Sequence, residues 1–371
     1  MTTGSTPRIA LVLGGGALKG FAHIGALRAL AERAIVPTVY AGSSIGALVA
    51  AAAAGGMDIE AMAERAMSLR RKDLFRINHL GMLLDRMQSR SIYMEAPLRA
   101  LCDHIVPEGT FAELRTPLLV TAVDIERGIE MVWGTPGLRD VSVRDAVYAS
   151  CALPGFFPPG LVGGRPCIDG GTTDNLPVGI ASMGVDAVIA VDVGIADMPS
   201  AEGIAQQGFA SVYMRAATIM MHTLQSRVLE RWQGPPMLLV RPQVSHISWF
   251  AFQHTEDLLR LGYEAMQEAL DNLDELLSAR GGVFPRRRIT LSVDDAACIG
   301  CGLCVAQVPH LMALGRNGKV FPTTPHLEWS PADGAFVRQC PVNAIHVTDR
   351  DGTPTPTSAL ATVGATVGPG R

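Results

Sequence analysis

Three groups of residues in this chain have the types and spacing that do chemistry. The first is Gly42-Ser43-Ser44-Ile45-Gly46, a Gly-x-Ser-x-Gly run. It follows the apolar segment Val36–Tyr40 and precedes the alanine-rich stretch Ala47–Ala54, which reads as strand, tight turn and helix. A serine on such a turn has a crowded backbone and an exposed hydroxyl, and the flanking glycines Gly42 and Gly46 let neighbouring chain pass without a Cβ clash. The helix behind it offers free N–H groups and partial positive charge. The same pentapeptide also serves as a bare structural turn, so the rest of the chain has to decide. The second group is Gly14-Gly15-Gly16-Ala17-Leu18-Lys19-Gly20. It departs from a dinucleotide fingerprint at Lys19 and from a phosphate-binding Walker loop at Phe21. Unhindered N–H groups of this loop at a helix start, with the charge of Lys19 nearby, suit a developing oxyanion; the other use is a tight turn that packs the helix against the sheet. The third is Cys298-x₂-Cys301-x₂-Cys304 with the distant Cys340-Pro341. Three thiolates at that spacing wrap one face of an iron–sulfur cube and a remote cysteine completes the set. Zinc is the competing metal.

The elements that must position these groups follow from the hydrophobic pattern. Arg8–Leu13 reads as a strand ending in the glycine loop, and a helix follows with Phe21, Ile24, Leu27 and Leu30 on one side. A second strand near Pro37–Ala41 feeds the serine turn. That succession is a right-handed βαβ unit and predicts an α/β fold with a mostly parallel sheet between helices. Met57–Leu69 reads as a helix, Ser91 as the cap of a helix over Ile92–His104, and Pro117–Asp124 with Ile129–Trp133 as a hairpin. Val143–Cys151 reads as a helix and Asp186–Val193 as a buried strand. Long helices over Glu202–Trp232 and Thr255–Ala279 flank a strand at Met237–Arg241. Residues 283–288 read as a hinge, 289–348 as a compact cysteine-containing unit, and 349–371, rich in Thr, Pro, Gly and Ala, as a disordered tail.

Composition bounds the function. The chain has 371 residues, 48% hydrophobic and 18% charged, with a net charge of −4. That balance allows a large core and argues against bulk nucleic-acid binding. Met1–Pro7 is polar and Ile9–Leu13 is too short for a secretory core, which makes the cytoplasm the expected compartment. Seven cysteines, four of them grouped late in the chain, suggest metal ligation under reducing conditions rather than a disulfide framework. Cys102, Cys151 and Cys167 are expected to be buried thiols. Residues 65–87 mix Arg70, Arg71, Lys72 and Arg76 with Leu74, Phe75 and Ile77. The plainer reading is a surface helix packed on the core; the other is a flap, or a peripheral contact with the inner membrane surface. Met214, Met220 and Met221 read as core.

A further motif, Asp169-Gly170-Gly171 followed by Asn175-Leu176-Pro177, joins the glycine loop and the serine turn in one chain. With these, with His23-Ile24-Gly25 and with Ala149-Ser150-Cys151-Ala152-Leu153-Pro154, residues 8–282 resemble the bacterial patatin-like phospholipases. The resemblance implies a Ser–Asp dyad that hydrolyses lipid or other acyl esters. In it Ser44 is the nucleophile, Asp169 the general base, and Gly14–Gly16 with Lys19 the oxyanion hole. A carboxylate is a weak base in water, so the scheme needs Asp169 buried or held at hydrogen-bond distance. The rival is a Ser-His-Asp triad using His222, His246 or His254. His23 reads as structural.

The cysteine unit resembles a bacterial-type ferredoxin, a small α+β domain. Val308, Ser330, Asp333 and Phe336 stand where a two-cluster ferredoxin has its second ligand set. The resemblance therefore implies one 4Fe–4S cluster on Cys298, Cys301, Cys304 and Cys340, and a redox partner protein if the cluster carries electrons. The function expected is a serine acyl ester hydrolase with an appended iron–sulfur domain. The alternative is an electron-transfer or regulatory protein whose hydrolase scaffold only binds.

Overall fold

The computed structural model describes residues 6–77, 91–194 and 201–349. The chain divides into two compact units, Met1–Gly282 and Val283–Arg371.

The first unit is built on a mixed sheet. Its strands are β1 (Ile9–Leu13), β2 (Val39–Gly42), β3 (Leu118–Asp124), β4 (Ile129–Trp133), β5 (Gly160–Val162), β6 (Arg165–Asp169), β7 (Ala187–Val191) and β8 (Met237–Val240). They lie in the order β5-β6-β3-β2-β1-β7-β8, with β4 beside β3. The run from β3 through β2, β1 and β7 to β8 is parallel; β4, β5 and β6 are antiparallel additions. β1, β7 and β8 are buried at every position. This is why Ile-Ala-Leu-Val-Leu, Ala-Val-Ile-Ala-Val and Met-Leu-Leu-Val read as unbroken apolar runs: helices cover both faces of a parallel sheet.

Three of those helices carry the site. Helix α1 (Ala22–Glu32) follows the glycine loop, α2 (Ile45–Ala54) follows β2, and α3 (Val143–Cys151) leads through Leu153 and Pro154 towards β5. α3 is capped by Ser142, whose hydroxyl accepts from the Asp145 amide. The long helix predicted over 202–232 is a short 3₁₀ stretch, Ile204–Gln207, and then an α-helix, Phe209–Glu230; Gly208 at φ 89° separates them. The helix predicted over 255–279 is broken into Thr255–Leu270 and Leu273–Ser278. Ser91 is not a cap. The helix beside it begins at Glu95, and the Ser91 hydroxyl donates to the Tyr93 carbonyl.

The second unit pairs Arg287–Val293 with His326–Trp329 on one side and Ile345–Asp349 on the other, all antiparallel. Two short helices, Leu303–Gln307 and Ala335–Arg338, complete it with a small hairpin. The predicted hinge is partly strand: Arg287 and Arg288 pair with Trp329 and Glu328. Asp349, assigned from sequence to the tail, ends a strand opposite Ile289. The rest of the predicted tail, 350–371, and residues 78–87 of the predicted flap lie outside the described residues. Among the described residues no helix is long and apolar enough to cross a membrane.

Candidate active site

Ser44 joins β2 to α2 at φ 53° and ψ −128°. A left-handed φ at a residue with a Cβ costs on the order of 1–3 kcal/mol and persists only where the surroundings enforce it. They do so here. The Ser44 amide donates to Ser150 Oγ on α3 at 2.9 Å. The Ser44 carbonyl accepts from Ala47 at 2.9 Å, and the Ser43 amide donates to Leu13 of β1 at 3.2 Å. The glycines make this turn sterically feasible. A Cβ on Gly46 would lie 2.0 Å from the Leu13 carbonyl oxygen, and one on Gly42 would lie 2.5 Å from the Gly46 carbonyl carbon.

The Ser44 hydroxyl donates to Asp169 Oδ2 at 2.6 Å. Asp169 ends β6 and is only 4% exposed. Its other oxygen accepts from the Gly171 amide at 2.8 Å. Gly170 packs so closely on β3 that a Cβ would lie 2.4 Å from the Thr121 carbonyl. Burial pushes the Asp169 carboxyl up from 3.8 to about 6, and the Ser44 hydroxyl and Gly171 amide pull against that rise.

The glycine loop lies beside Ser44, with its amides unequally available. Gly14 donates to Val191 and Gly15 to the Asn175 carbonyl, each at 3.0 Å. Two of the three amides expected to receive an oxyanion are therefore already paired. The amides of Gly16 and Ala17 have no acceptor among the described residues, and both residues line the cavity at Ser44. Lys19 is buried in the turn Ala17–Phe21 and does not line that cavity.

Buried side chains hold the loop from behind. His23 Nε2 donates to the Gly14 carbonyl at 2.7 Å. Burial pushes the imidazole down to about 4, so at neutral pH it carries one proton, and a carbonyl partner puts that proton on Nε2. Asn175 Nδ2 donates to the Gly15 carbonyl and to Gln225 Oε1, both at 3.2 Å. Gln225 Nε2 donates to Asp192 Oδ2 at 2.8 Å, and Arg241 Nε reaches the same oxygen at 3.3 Å. Because a peptide is planar and trans, fixing the Gly15 carbonyl also fixes the direction of the Gly16 N–H.

The cavity is lined by Ser44, Asp169 and Asn175 and by apolar walls that include Leu48, Phe75, Leu101 and Phe157. Leu74 and Phe75, from the segment read as a surface helix, are part of this wall. Met221, read from sequence as core, also faces it, and Met220 is 59% exposed. From the helix Phe209–Glu230 it is Met221 that lines the cavity, so this side chain packs on a cavity wall rather than in the interior. Cys151 lines the cavity too, as a thiol that burial holds well above its ordinary pKa; Cys102 and Cys167 are buried as expected. No histidine lines the cavity among the described residues, and His254 pairs with Asp257 at 3.1 Å.

Sequence reasoning did not assign roles to Ser150, Asn175, Asp192 or Gln225. Ser150 and Asn175 lie in segments that carry the family resemblance. Asp192 and Gln225 left a fainter signal, namely a polar residue directly after an all-apolar strand and another on the inner side of an apolar helix.

In the second unit, Cys298 and Cys304 are buried in a core with Trp329, Phe336 and Val347, Cys340 packs against that core, and Cys301 is exposed. Gly300 and Gly302 take left-handed φ values of 68° and 73°, which curl the cysteine loop; a Cβ on Gly300 would lie 2.1 Å from the Gly318 carbonyl. Cys301 and Cys340 are near enough to act electrostatically on the Cys304 thiol. The Ala344 amide donates to Cys340 Sγ at 3.3 Å, the kind of contact that stabilises a ligating sulfur. Among the described residues no three His, Cys, Asp or Glu side chains form a group that could hold a metal ion. What fits a cluster is the donor chemistry: four thiols, one helped by a backbone amide.

Residues 11–182 match the patatin-like phospholipase family. An uncharacterized NTE family protein of Mycobacterium tuberculosis is 37% identical over 192 residues, covering 51% of this chain and 50% of that protein. The lysophospholipase NTE1 of Coccidioides immitis is 26% identical over 306 residues, covering 71% of this chain and 18% of that protein. Among solved structures, VipD from Legionella pneumophila aligns with a TM-score of 0.39 at 16% identity, over 73% of this chain and 68% of that one. Over these residues the chain is thus similar to patatin-like phospholipases, and it has NTE-family proteins among its relatives. It spans about half the length of the mycobacterial relatives it matches.

Proposed function

We propose that the first unit is a serine acyl ester hydrolase of the phospholipase A or lysophospholipase type. The observation that carries this reading is the 2.6 Å hydrogen bond from the Ser44 hydroxyl, on a strained strand-to-helix turn, to the buried Asp169 in the wall of a largely apolar cavity. Ser44 Oγ attacks the ester carbonyl carbon while its proton passes to Asp169 Oδ2. The amides of Gly16 and Ala17 receive the negative oxygen of the tetrahedral intermediate. That intermediate collapses, the acyl–alkoxy bond breaks, and the proton on Asp169 goes to the leaving alcohol. Water then attacks the acyl-Ser44 carbonyl and gives its proton to Asp169; the fatty acid leaves and Ser44 recovers the proton. The apolar wall suits the acyl chain. The lysophospholipase named among the relatives agrees with an ester of that class. The test is fatty-acid release from short-chain esters and phospholipids by wild type, Ser44→Ala and Asp169→Asn. Loss in both variants is expected, and undiminished release by Ser44→Ala would remove Ser44 from the reaction.

We further propose that Cys298, Cys301, Cys304 and Cys340 hold one 4Fe–4S cluster. When bound, such a cluster supplies one-electron transfer. Ester hydrolysis moves no electrons, so none of its steps runs through the cluster. Iron and sulfide determination on anaerobically purified full-length chain, with broad visible absorbance lost in Cys304→Ser, is the expected result. A single zinc per chain in place of iron would overturn it.

A further inference from the structure

We propose that the substrate's acyl chain runs past Leu48 and Leu101 into a second apolar cavity, and that these two side chains set the chain length the enzyme accepts. This rests on the acyl ester hydrolase reading of Ser44. The cavity at Ser44 is lined by Ile45 and Leu48 of α2 and by Leu98 and Leu101 of the helix Glu95–Ile105. A second cavity is lined by Leu48, Val49 and Ala52 of α2 and by Leu101 and Ile105 of the other helix. Leu48 and Leu101 are common to both. On α2 the sequence spacing 45, 48, 49, 52 keeps to one helix face, as 98, 101, 105 does on its neighbour. Each helix therefore carries one continuous apolar stripe that starts beside Ser44 and ends in the second cavity. At a rise of 1.5 Å per residue the stripe on α2 spans about 10 Å, which is the scale of a fatty acyl chain rather than of a small acyl group.

The second cavity suits hydrocarbon and little else. Its remaining wall includes Ile24, Met62 and Ala66. Its one charged residue is Arg65, which is exposed, so its apolar stem lines the space while its charge stays towards water. Water there would lack the polar partners it needs. Ala52 and Ala66 leave the room that larger side chains would fill. Leu48 is 3% exposed, and with Leu101 it forms the partition between the two spaces.

The experiment measures kcat/KM for p-nitrophenyl butyrate, octanoate, laurate and palmitate on the full chain. The quantity read is the palmitate-to-butyrate ratio, which cancels losses shared by all esters, including partial misfolding. Leu101→Ala removes half of the partition and is expected to raise the ratio about tenfold or more. Ala66→Leu fills the second cavity without touching the first and is expected to lower it by a similar factor, the range that one or two methylenes of an apolar pocket discriminate. Ratios within about twofold of wild type in both variants would overturn the proposal and leave the hydrolase reading standing. A wild-type chain inactive on every ester would instead remove the reading on which the proposal rests.

Discussion

Replacing Asp169 by Asn tests the proposed base and the physical origin of its basicity together. Burial raises this carboxyl from 3.8 to about 6. Between those values the folded chain binds more protons than the unfolded one, so stability falls as pH rises through this window. Above about 6 the penalty is complete, and the gap converts to about 3 kcal/mol. Asn has the same shape and no charge. Its Oδ1 still accepts from Gly171, and its amide still faces Ser44. The variant should therefore be more stable than wild type at neutral pH by up to about 3 kcal/mol, which is roughly 5–10 °C in melting temperature for a unit of this size. The difference should shrink as pH falls and vanish below about pH 3, where the carboxyl is protonated in both the folded and the unfolded state. Over the same series fatty-acid release should drop at least about a hundredfold, the usual scale for losing a general base. The wild-type kcat/KM should show an acid limb centred near 6. Melting curves across pH, paired with initial rates, decide the matter. An Asn variant no more stable than wild type at neutral pH would refute burial as the cause of the shift. An acid limb in the ordinary carboxylate range would show that burial does not raise the working pKa of Asp169.

Four further outcomes follow. Asn175→Ala frees the Gly15 carbonyl and with it the Gly16 amide; kcat should fall about tenfold to a hundredfold with KM nearly constant, below the cost of deleting an oxyanion donor outright, and a change confined to KM would contradict the positioning role. Ser150→Ala leaves the Ser44 amide without its acceptor, so denaturation should show a loss of about 1–3 kcal/mol together with reduced kcat. Gly46→Ala would drive a Cβ to 2.0 Å from the Leu13 carbonyl, and melting should reveal destabilisation of at least about 3 kcal/mol or failure to fold. Cys340→Ser should lower bound iron in the full chain while esterase activity persists; activity lost in step with iron would tie hydrolysis to the cysteine unit.

Much of the fold was legible because parallel strands buried on both faces leave unbroken apolar runs, and those at β1, β7 and β8 are short and bounded by glycine or proline. The serine turn was legible for a related reason, since its glycines answer to steric demands that no other residue meets. What the sequence hid was pairing at a distance. Nothing in Gly14-Gly15-Gly16 says that its first two amides meet carbonyls from β7 and from Asn175, so all three looked equally free. Hydrogen bonds made between residues far apart in the chain leave no local pattern. The same holds for Met221 and Phe75. A large apolar side chain is written the same way whether it faces a core or a cavity, and only the missing neighbour distinguishes them.

The dyad geometry also accounts for why the loop is held so firmly. In a triad the base becomes a cation as the oxyanion forms, and the two charges offset one another. In the proposed reaction Asp169 starts as the anion and becomes neutral when it takes the Ser44 proton, so the single negative charge would move from the carboxylate to the substrate oxygen. It leaves a site that burial makes poor at holding charge. The receiving site must therefore hold it well, without reorganising at the moment of reaction. Among the described residues only the Gly16 and Ala17 amides are free on the loop for that purpose, and the Gly16 amide is aimed by a peptide plane fixed at the Gly15 carbonyl through Asn175. Gln225, Asp192 and Arg241 brace Asn175 in turn. On this argument the polar chain behind the loop belongs to catalysis as much as to folding, and its loss should appear in kcat before it appears in substrate affinity.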